Sequence, residues 1–274
     1  MTWLLEVGEQ KIIFIELKVN ANYRGKWKYK LVDLNKQKIY LLILLILSNA
    51  IYITSKGQLY SIESFDGGNA KIHLNYELFS KTLKVSFLKD TLFLDDCTGT
   101  FGVYVLNRTF LQINYTARGG SGVNIRNTLI LTVYKNRIGA SILVNSYLST
   151  ISVNKENLDS LKFNLVGNSR GSYRLIVSIH DEQKSKITPQ ANYNLNQQDT
   201  LKFDSSKNIF YSSAEALSKP FMVYDAKTQQ TIEQHAQGTV PAIQLGKNDY
   251  YYIKGEWYQK GNGNEFIKYS HKLN

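Results

Sequence analysis

The sequence predicts an all-β protein: an antiparallel meander forming a sandwich or two-layer sheet, preceded by an apolar signal or anchor helix, with a propeller-like arrangement as the alternative. Three observations lead there. From Gln58 onward, short runs of β-branched and aromatic residues alternate with polar ones and are broken by Gly, Asn, Asp and Ser. Helical periodicity is nearly absent over the same stretch. Ahead of it stands one apolar run, residues 39–47 (IYLLILLIL), followed by Ser48, Asn49 and Ala50 and then Ile51, Tyr52 and Ile53.

Residues 1–38 read as a basic extension, with lysines and arginines in excess of acids. Residues 39–57 read as a signal-peptide core or a membrane anchor. As a helix, residues 39–53 would span about 22 Å, short of the roughly 30 Å hydrocarbon core of a bilayer. Signal-peptide cores run about 7 to 15 residues behind positive charge and end in small residues. Lys36 and Lys38 supply the charge, and cleavage after Gly57 would leave Gln58 first in the mature chain; cleavage after Ala50 is the other choice. The extension is long for a signal peptide. It is either the cytoplasmic tail of a single-span protein, which its basic bias suits, or a stretch upstream of the true start, near Leu34. Both readings send residues 58–274 across a membrane. The expected location is exported (periplasmic, cell-surface or secreted), with a single-pass membrane protein as the alternative.

Residues 58–274 are expected to form the β domain, as one unit or as two subdomains divided near residues 181–199. Candidate strands lie at 59–65, 70–79, 82–88, 91–94, 101–106, 109–117, 127–134 and 137–146. A second group follows at 160–165, 173–180, 200–203, 209–211, 221–224, 242–245, 250–257 and 266–269. The turns Asp66-Gly67-Gly68-Asn69 and Lys135-Asn136 suit tight hairpins, because Gly and Asn tolerate positive φ. The polar stretch between His180 and Thr200 reads as a long surface loop, marking a domain boundary or a long hairpin connection. Residues 213–218 (SAEALS), with a capping serine and helix formers, predict a turn or two of helix. The block Leu161-Lys162-Phe163-Asn164 recurs as Leu201-Lys202-Phe203-Asp204, but no third copy supports a repeat architecture.

Charge and cysteine narrow the classes. The whole chain carries +11, but residues 58–274 hold only +6, with 24 basic against 18 acidic residues. Those lysines and arginines are scattered among acids, whereas a nucleic-acid surface clusters them on one face. No nucleic acid is expected as a partner. Cys97 is the single cysteine, so no disulfide forms within the chain, and it reads as a small buried apolar residue.

Four places deserve weighing for chemistry. Arg118-Gly119-Gly120-Ser121-Gly122, with Asn124 and Arg126, could cradle an anion on backbone amides, yet it joins two strands and reads first as a hairpin tip; Arg118, Ser121 and Arg126 are its candidate ligand contacts. Tyr250, Tyr252 and Trp257 read first as sheet packing and second as a sugar-stacking platform. Asp95 and Asp96, with Asp90 nearby, read as a strand-ending turn before an acid/base pair. His73, His180, His235 and His271 stand singly, without the clustered ligands that zinc requires, so neither metal nor cofactor is expected. No G-x-S-x-G nucleophile motif occurs. The expected function is a non-catalytic module that binds a protein partner or a carbohydrate at the cell envelope, with membrane contact only through residues 39–53 if these are retained. The alternative is a cell-surface hydrolase built on dispersed carboxylates.

Overall fold

The computed structural model describes residues 57–217, 220–225, 230–235, 238–261, 265–268 and 270–273. The apolar run and the basic extension lie outside these residues. Among the described residues no helix is long and apolar enough to cross a membrane.

Among the described residues the chain is all-β and forms three open sheets, none closed into a barrel. The first holds β1 (Gln58–Glu63), β2 (Asn69–Glu77), β3 (Thr82–Phe87) and β4 (Asp90–Leu94) as a meander, with β20 (Ser270–Leu273) added against β4. The second is an eight-stranded meander of β5 (Cys97–Leu106), β6 (Phe110–Ala117), β7 (Val123–Tyr134), β8 (Arg137–Ile151), β9 (Lys155–Val166), β10 (Arg174–Ser185), β11 (Tyr193–Asp204) and β12 (Ile209–Tyr211). The third is ordered β13 (Ser213–Ala216), β16 (Thr239–Leu245), β17 (Asn248–Ile253), β18 (Glu256–Lys260), β19 (Glu265–Lys268), β14 (Phe221–Asp225) and β15 (Gln230–Gln234). Among the described strands every pairing is antiparallel except β14 with β19. Sheets of five, eight and seven strands repeat no four-stranded blade.

The anticipated turns form where the residues allow positive φ: Gly67 and Gly68 at +80° and +113°, Lys135 and Asn136 at +50° and +59°. Three expectations are corrected. Residues 181–199 are not a loop: β10 and β11 pair continuously from Arg174↔Lys202 to Gln183↔Tyr193, and only a short turn with a 3-10 segment at Pro189–Ala191 lies beyond. Their polarity reflects strands exposed on one or both faces. Ser213–Ala216 is a strand rather than a helical turn, because pairing with β16 supplies backbone partners that four residues of helix cannot match. Residues 250–257 are two strands, split where Lys254 and Gly255 take φ of +50° and +91°. The two LKF blocks lie on β9 and β11, the strands that flank β10.

The main core forms where the first two sheets meet and extends to Ile243, Leu245, Tyr250 and Trp257 of the third. Residues 127–133 of β7 are buried without interruption, so both faces of that strand are covered. On one side Asp90 of β4 accepts the Ile138 amide at 2.8 Å and faces Arg137 at 3.5 Å. On the other the Trp257 indole donates to Ala140 O at 2.9 Å. Cys97 is fully buried, and burial pushes its thiol pKa up. The main core includes an aromatic group, Phe65, Phe110, Tyr173, Phe203 and Phe210, whose rings pack edge to face or tilted at 5.0–6.1 Å, with Arg170 stacked on Tyr134 at 3.8 Å beside it. A smaller core of Phe221, Val223, Tyr251, Tyr258 and Phe266 lies within the third sheet.

Truncating a side chain in the doubly covered strand leaves a cavity that neither neighbouring sheet can fill. Leu129→Ala is expected to lower stability by about 3 kcal/mol, against about 0.5 kcal/mol or less for Phe79→Ala at an exposed turn, as read by urea unfolding.

Candidate functional site

The glycine-rich turn is built by packing. A Cβ on Gly119 would lie 2.4 Å from Val123 O, and one on Gly122, at φ +75°, 2.7 Å from Ile151 O. The Arg118 amide donates to Asp96 O of the neighbouring turn, the Val123 amide closes this turn on Gly120 O, and the Ile151 amide of β8 donates to Gly122 O, so the amides at both ends of the turn are already used. Arg118 and Ser121 are exposed at the tip. Arg126 lies along β7 with its guanidinium 4.9 Å above the Tyr147 ring.

The aromatic residues do not form an exposed face. Tyr250 and Trp257 have relative exposures of 0% and 1%, and the Tyr250 hydroxyl accepts the Asn145 amide at 3.2 Å. Tyr252 is half-buried and packs against Trp257, with ring centroids 5.2 Å apart. All three belong to the packing of the third sheet on the second. The cause is hairpin alternation: the split at residues 254–255 turns Trp257 back to face Tyr252 across the strands instead of extending a single outer row.

Asp95 and Asp96 occupy the β4–β5 turn, with Asp96 at φ +56°, and Asp90 is the buried inter-sheet acceptor already described. His180 Nδ1 lies 2.9 Å from Asn196 Oδ1, His235 Nε2 lies 3.0 Å from Glu233, and His73 is exposed on β2. Among the described residues no three His, Cys, Asp or Glu side chains are placed to hold a metal ion.

The structure brings together a group that sequence reading left apart. Asp159 of β9 and Asp181 of β10 stand directly opposite one another, and Lys247, in the β16–β17 turn, reaches both. Its Nζ donates to Asp159 Oδ1 at 2.9 Å, lies 2.8 Å from Oδ2 and stands 3.8 Å from Asp181. Burial, then the hydrogen bond to Asp181, raises the Asp159 pKa. Burial works to lower the Lys247 pKa, but the hydrogen bond and charge of Asp159, with Asp181 behind it, outweigh burial and hold it above its ordinary value. The pair was hidden because the strands were read short, β9 from residue 160 and β10 only to residue 180. Extending that hairpin symmetrically from its turn would have set 159 against 181. The cleft over the pair, lined also by Ser146, His180 and Gln259, has a volume of only about 40 Å³. That is room for a few water molecules at most.

A larger concavity lies between two open sheet edges. β1 ends the first sheet and β5 the second, and a groove of about 560 Å³ runs between them, lined by Ser61, Ile62, Glu63, Asn69, Val105 and Arg108. The Glu63 amide donates to Arg108 O at 2.7 Å, away from β2. Leu59 and Ser61 share that alternation and therefore turn their backbone groups to the same outer side. Residues 101–106 of β5 (FGVYVL) carry no charge and no proline, and Tyr104 and Val105 are 56% and 48% exposed.

No family model, curated protein or solved structure matches this chain.

The acidic group makes stability depend on pH in a defined direction. Because Asp159 holds its proton more tightly folded than unfolded, its contribution grows as pH falls through the folded pKa and is complete below the ordinary value of 3.8. Lys247 contributes below its ordinary 10.5 and loses that contribution as pH rises through the folded value. Asp159→Asn is expected to flatten the acid side of a melting-temperature profile. Lys247→Met, which leaves two carboxylates facing each other, is expected to cost about 1–2 kcal/mol at neutral pH by urea unfolding.

Proposed function

We propose that residues 58–274 are a non-catalytic β module of sandwich type, exported or tethered at the cell envelope, that binds a protein partner by accepting one of its strands. The observation that carries this reading is the edge formed by β5. Sheet edges in monomeric proteins are normally blunted by charges, prolines or covering segments, since a bare edge templates pairing with another chain. Six successive residues of β5 have none of the first two, and no described strand covers them. Strand addition would draw affinity from the main chain and selectivity from the groove shared with β1, where Arg108 and Glu63 stand 3.9 Å apart at the rim. Delivery to the envelope rests on residues 39–57, whose length, basic flank and small residues suit export or anchoring.

The competing readings have less to support them. A glycan platform needs aromatic faces in solvent, and Tyr250 and Trp257 are inside. A hydrolase needs two carboxylates flanking a substrate-sized cleft, commonly about 5 to 10 Å apart. Asp159 and Asp181 adjoin each other under a lysine in a cavity too small for a sugar.

A photo-crosslinking amino acid at Tyr104, in the full chain expressed in its native host, is expected to give a discrete protein adduct in the envelope fraction. One at Tyr224 is expected to give none. Val105→Lys, which places a charge on the edge without disturbing the core, should suppress the Tyr104 adduct. No adduct at Tyr104, or one indifferent to Val105→Lys, defeats the proposal.

A further inference from the structure

One face of the second sheet gathers basic residues that stand far apart in sequence. Strands β9, β10 and β11 pair in register, so alternate residues of each share a face. The inner face carries Leu175, Val177 and Leu201 into the core and sets Asp159 and Asp181 under Lys247. Asp199 stands opposite Val177 and belongs to that inner face as well. On the outer face Lys162 lies opposite Ser178. Arg174 is four residues from Ser178, about 13 Å along the strand, and stands directly opposite Lys202. Between residues 160–166, 174–180 and 196–202 this outer face holds Lys162, Arg174 and Lys202 and no acid.

All three cations are exposed. Among the described residues none of them has an ion-pair partner, although cations at the ends of the same three strands are matched. Lys184 meets Glu182 at 2.9 Å, Lys186 meets Glu156 at 3.0 Å and Lys207 meets Asp204 at 3.9 Å. The acids bordering the face are therefore already used, and uncompensated positive charge is left in its middle. Like charges directly opposite one another on neighbouring strands destabilise a sheet. Arg174 facing Lys202 is thus an arrangement from which the fold itself gains nothing.

We infer that this face binds an acidic polysaccharide, one phosphate or sulfate group seated between Arg174 and Lys202 and another on Lys162. An oxyanion placed between the opposed pair replaces their repulsion with two charge-assisted contacts. The rest of the face selects the class of polymer. It exposes no large apolar side chain. It therefore lacks the aromatic or aliphatic anchors on which a protein partner or a lipid surface depends, and the rings on which single-stranded nucleic acid stacks. Asn164, Ser178, Gln198 and Thr200 stand exposed among the cations and offer hydroxyl and amide groups to sugar hydroxyls. Charge rather than ring stacking holds the glycan, so the burial of Tyr250 and Trp257 has no bearing on it. Three strands separate β9 from β5, and this surface does not depend on the strand-binding edge.

Dextran sulfate is the probe and uncharged dextran its control, with the full chain held in non-ionic detergent at about 0.15 M salt, where charges are screened beyond roughly 8 Å. The chain is expected to bind dextran sulfate and not dextran. Combining Lys162→Gln, Arg174→Gln and Lys202→Gln is expected to weaken binding at least about tenfold. Combining Lys71→Gln, Lys89→Gln and Lys254→Gln, which removes the same charge from exposed positions of the other two sheets, is expected to weaken it less than about threefold. Arg174→Gln alone relieves the repulsion, so it is expected to keep or raise the urea midpoint while weakening binding about threefold. Equal losses in the two triple variants, the result that net charge alone produces, overturn the inference. Failure to bind dextran sulfate overturns it too, as does an oligo-dT of matched charge that binds as tightly and with the same dependence on the three residues.

Discussion

Residues 127–133 of β7 meet no water on either face, and the other two sheets are placed by the need to cover them. A strand in an ordinary two-sided position alternates apolar with polar residues. This one cannot, and its two threonines are matched internally, Thr128 donating to Asn114 at 2.8 Å and Thr132 to Thr109 O at 3.2 Å, while the buried Asn127 Oδ1 has no hydrogen-bond partner among the described residues. The neighbouring β8 carries the covering contacts, taking Asp90 from the first sheet and Trp257 from the third on amide and carbonyl groups only two residues apart in sequence, Ile138 and Ala140. Both links are polar, so they fix register as well as proximity; apolar packing alone would tolerate a slide.

Much of this was legible in residue order. Alternating β-branched and aromatic runs located most strands, and Gly67, Gly68, Lys135 and Asn136 located turns, because these signals are local: a hairpin depends on residues that touch. What escaped was set by partners remote in sequence. Ser213–Ala216 has helix-forming residues and becomes a strand only because β16 lies alongside. β11 is polar along much of its length, and its pairing to β10 overrides a pattern that otherwise reads as loop. The same blind spot concealed Asp159, Asp181 and Lys247. Asp159 lies one residue before, and Asp181 one residue after, the stretches whose alternation marks a strand, and the lysine arrives from a different sheet. Conversely, the aromatic residues were visible in the sequence while their burial was not, since hairpin alternation decides which face each ring occupies.

Polar and apolar surfaces are divided unevenly by this arrangement. Two charged contacts cross between sheets at partly or fully buried carboxylates, Lys247 with Asp159 and Arg137 with Asp90. An uncharged stretch is left at the periphery, along residues 101–106 of the β5 edge. Tyr104 and Phe79 stand in solvent, so surface exchange of either leaves the core untouched.

The pairing of β20 with β4 has a consequence for the order in which the molecule is assembled. Ser270–Leu273 lies against residues 91–94, roughly 180 residues earlier, whereas the meanders join neighbours in sequence. During synthesis the first four strands can associate as soon as they emerge. Their last edge waits for nearly the whole chain. Until residue 273 is free to dock, β4 remains a bare template beside a growing polypeptide, and a chaperone or the nascent chain itself must keep other strands away from it.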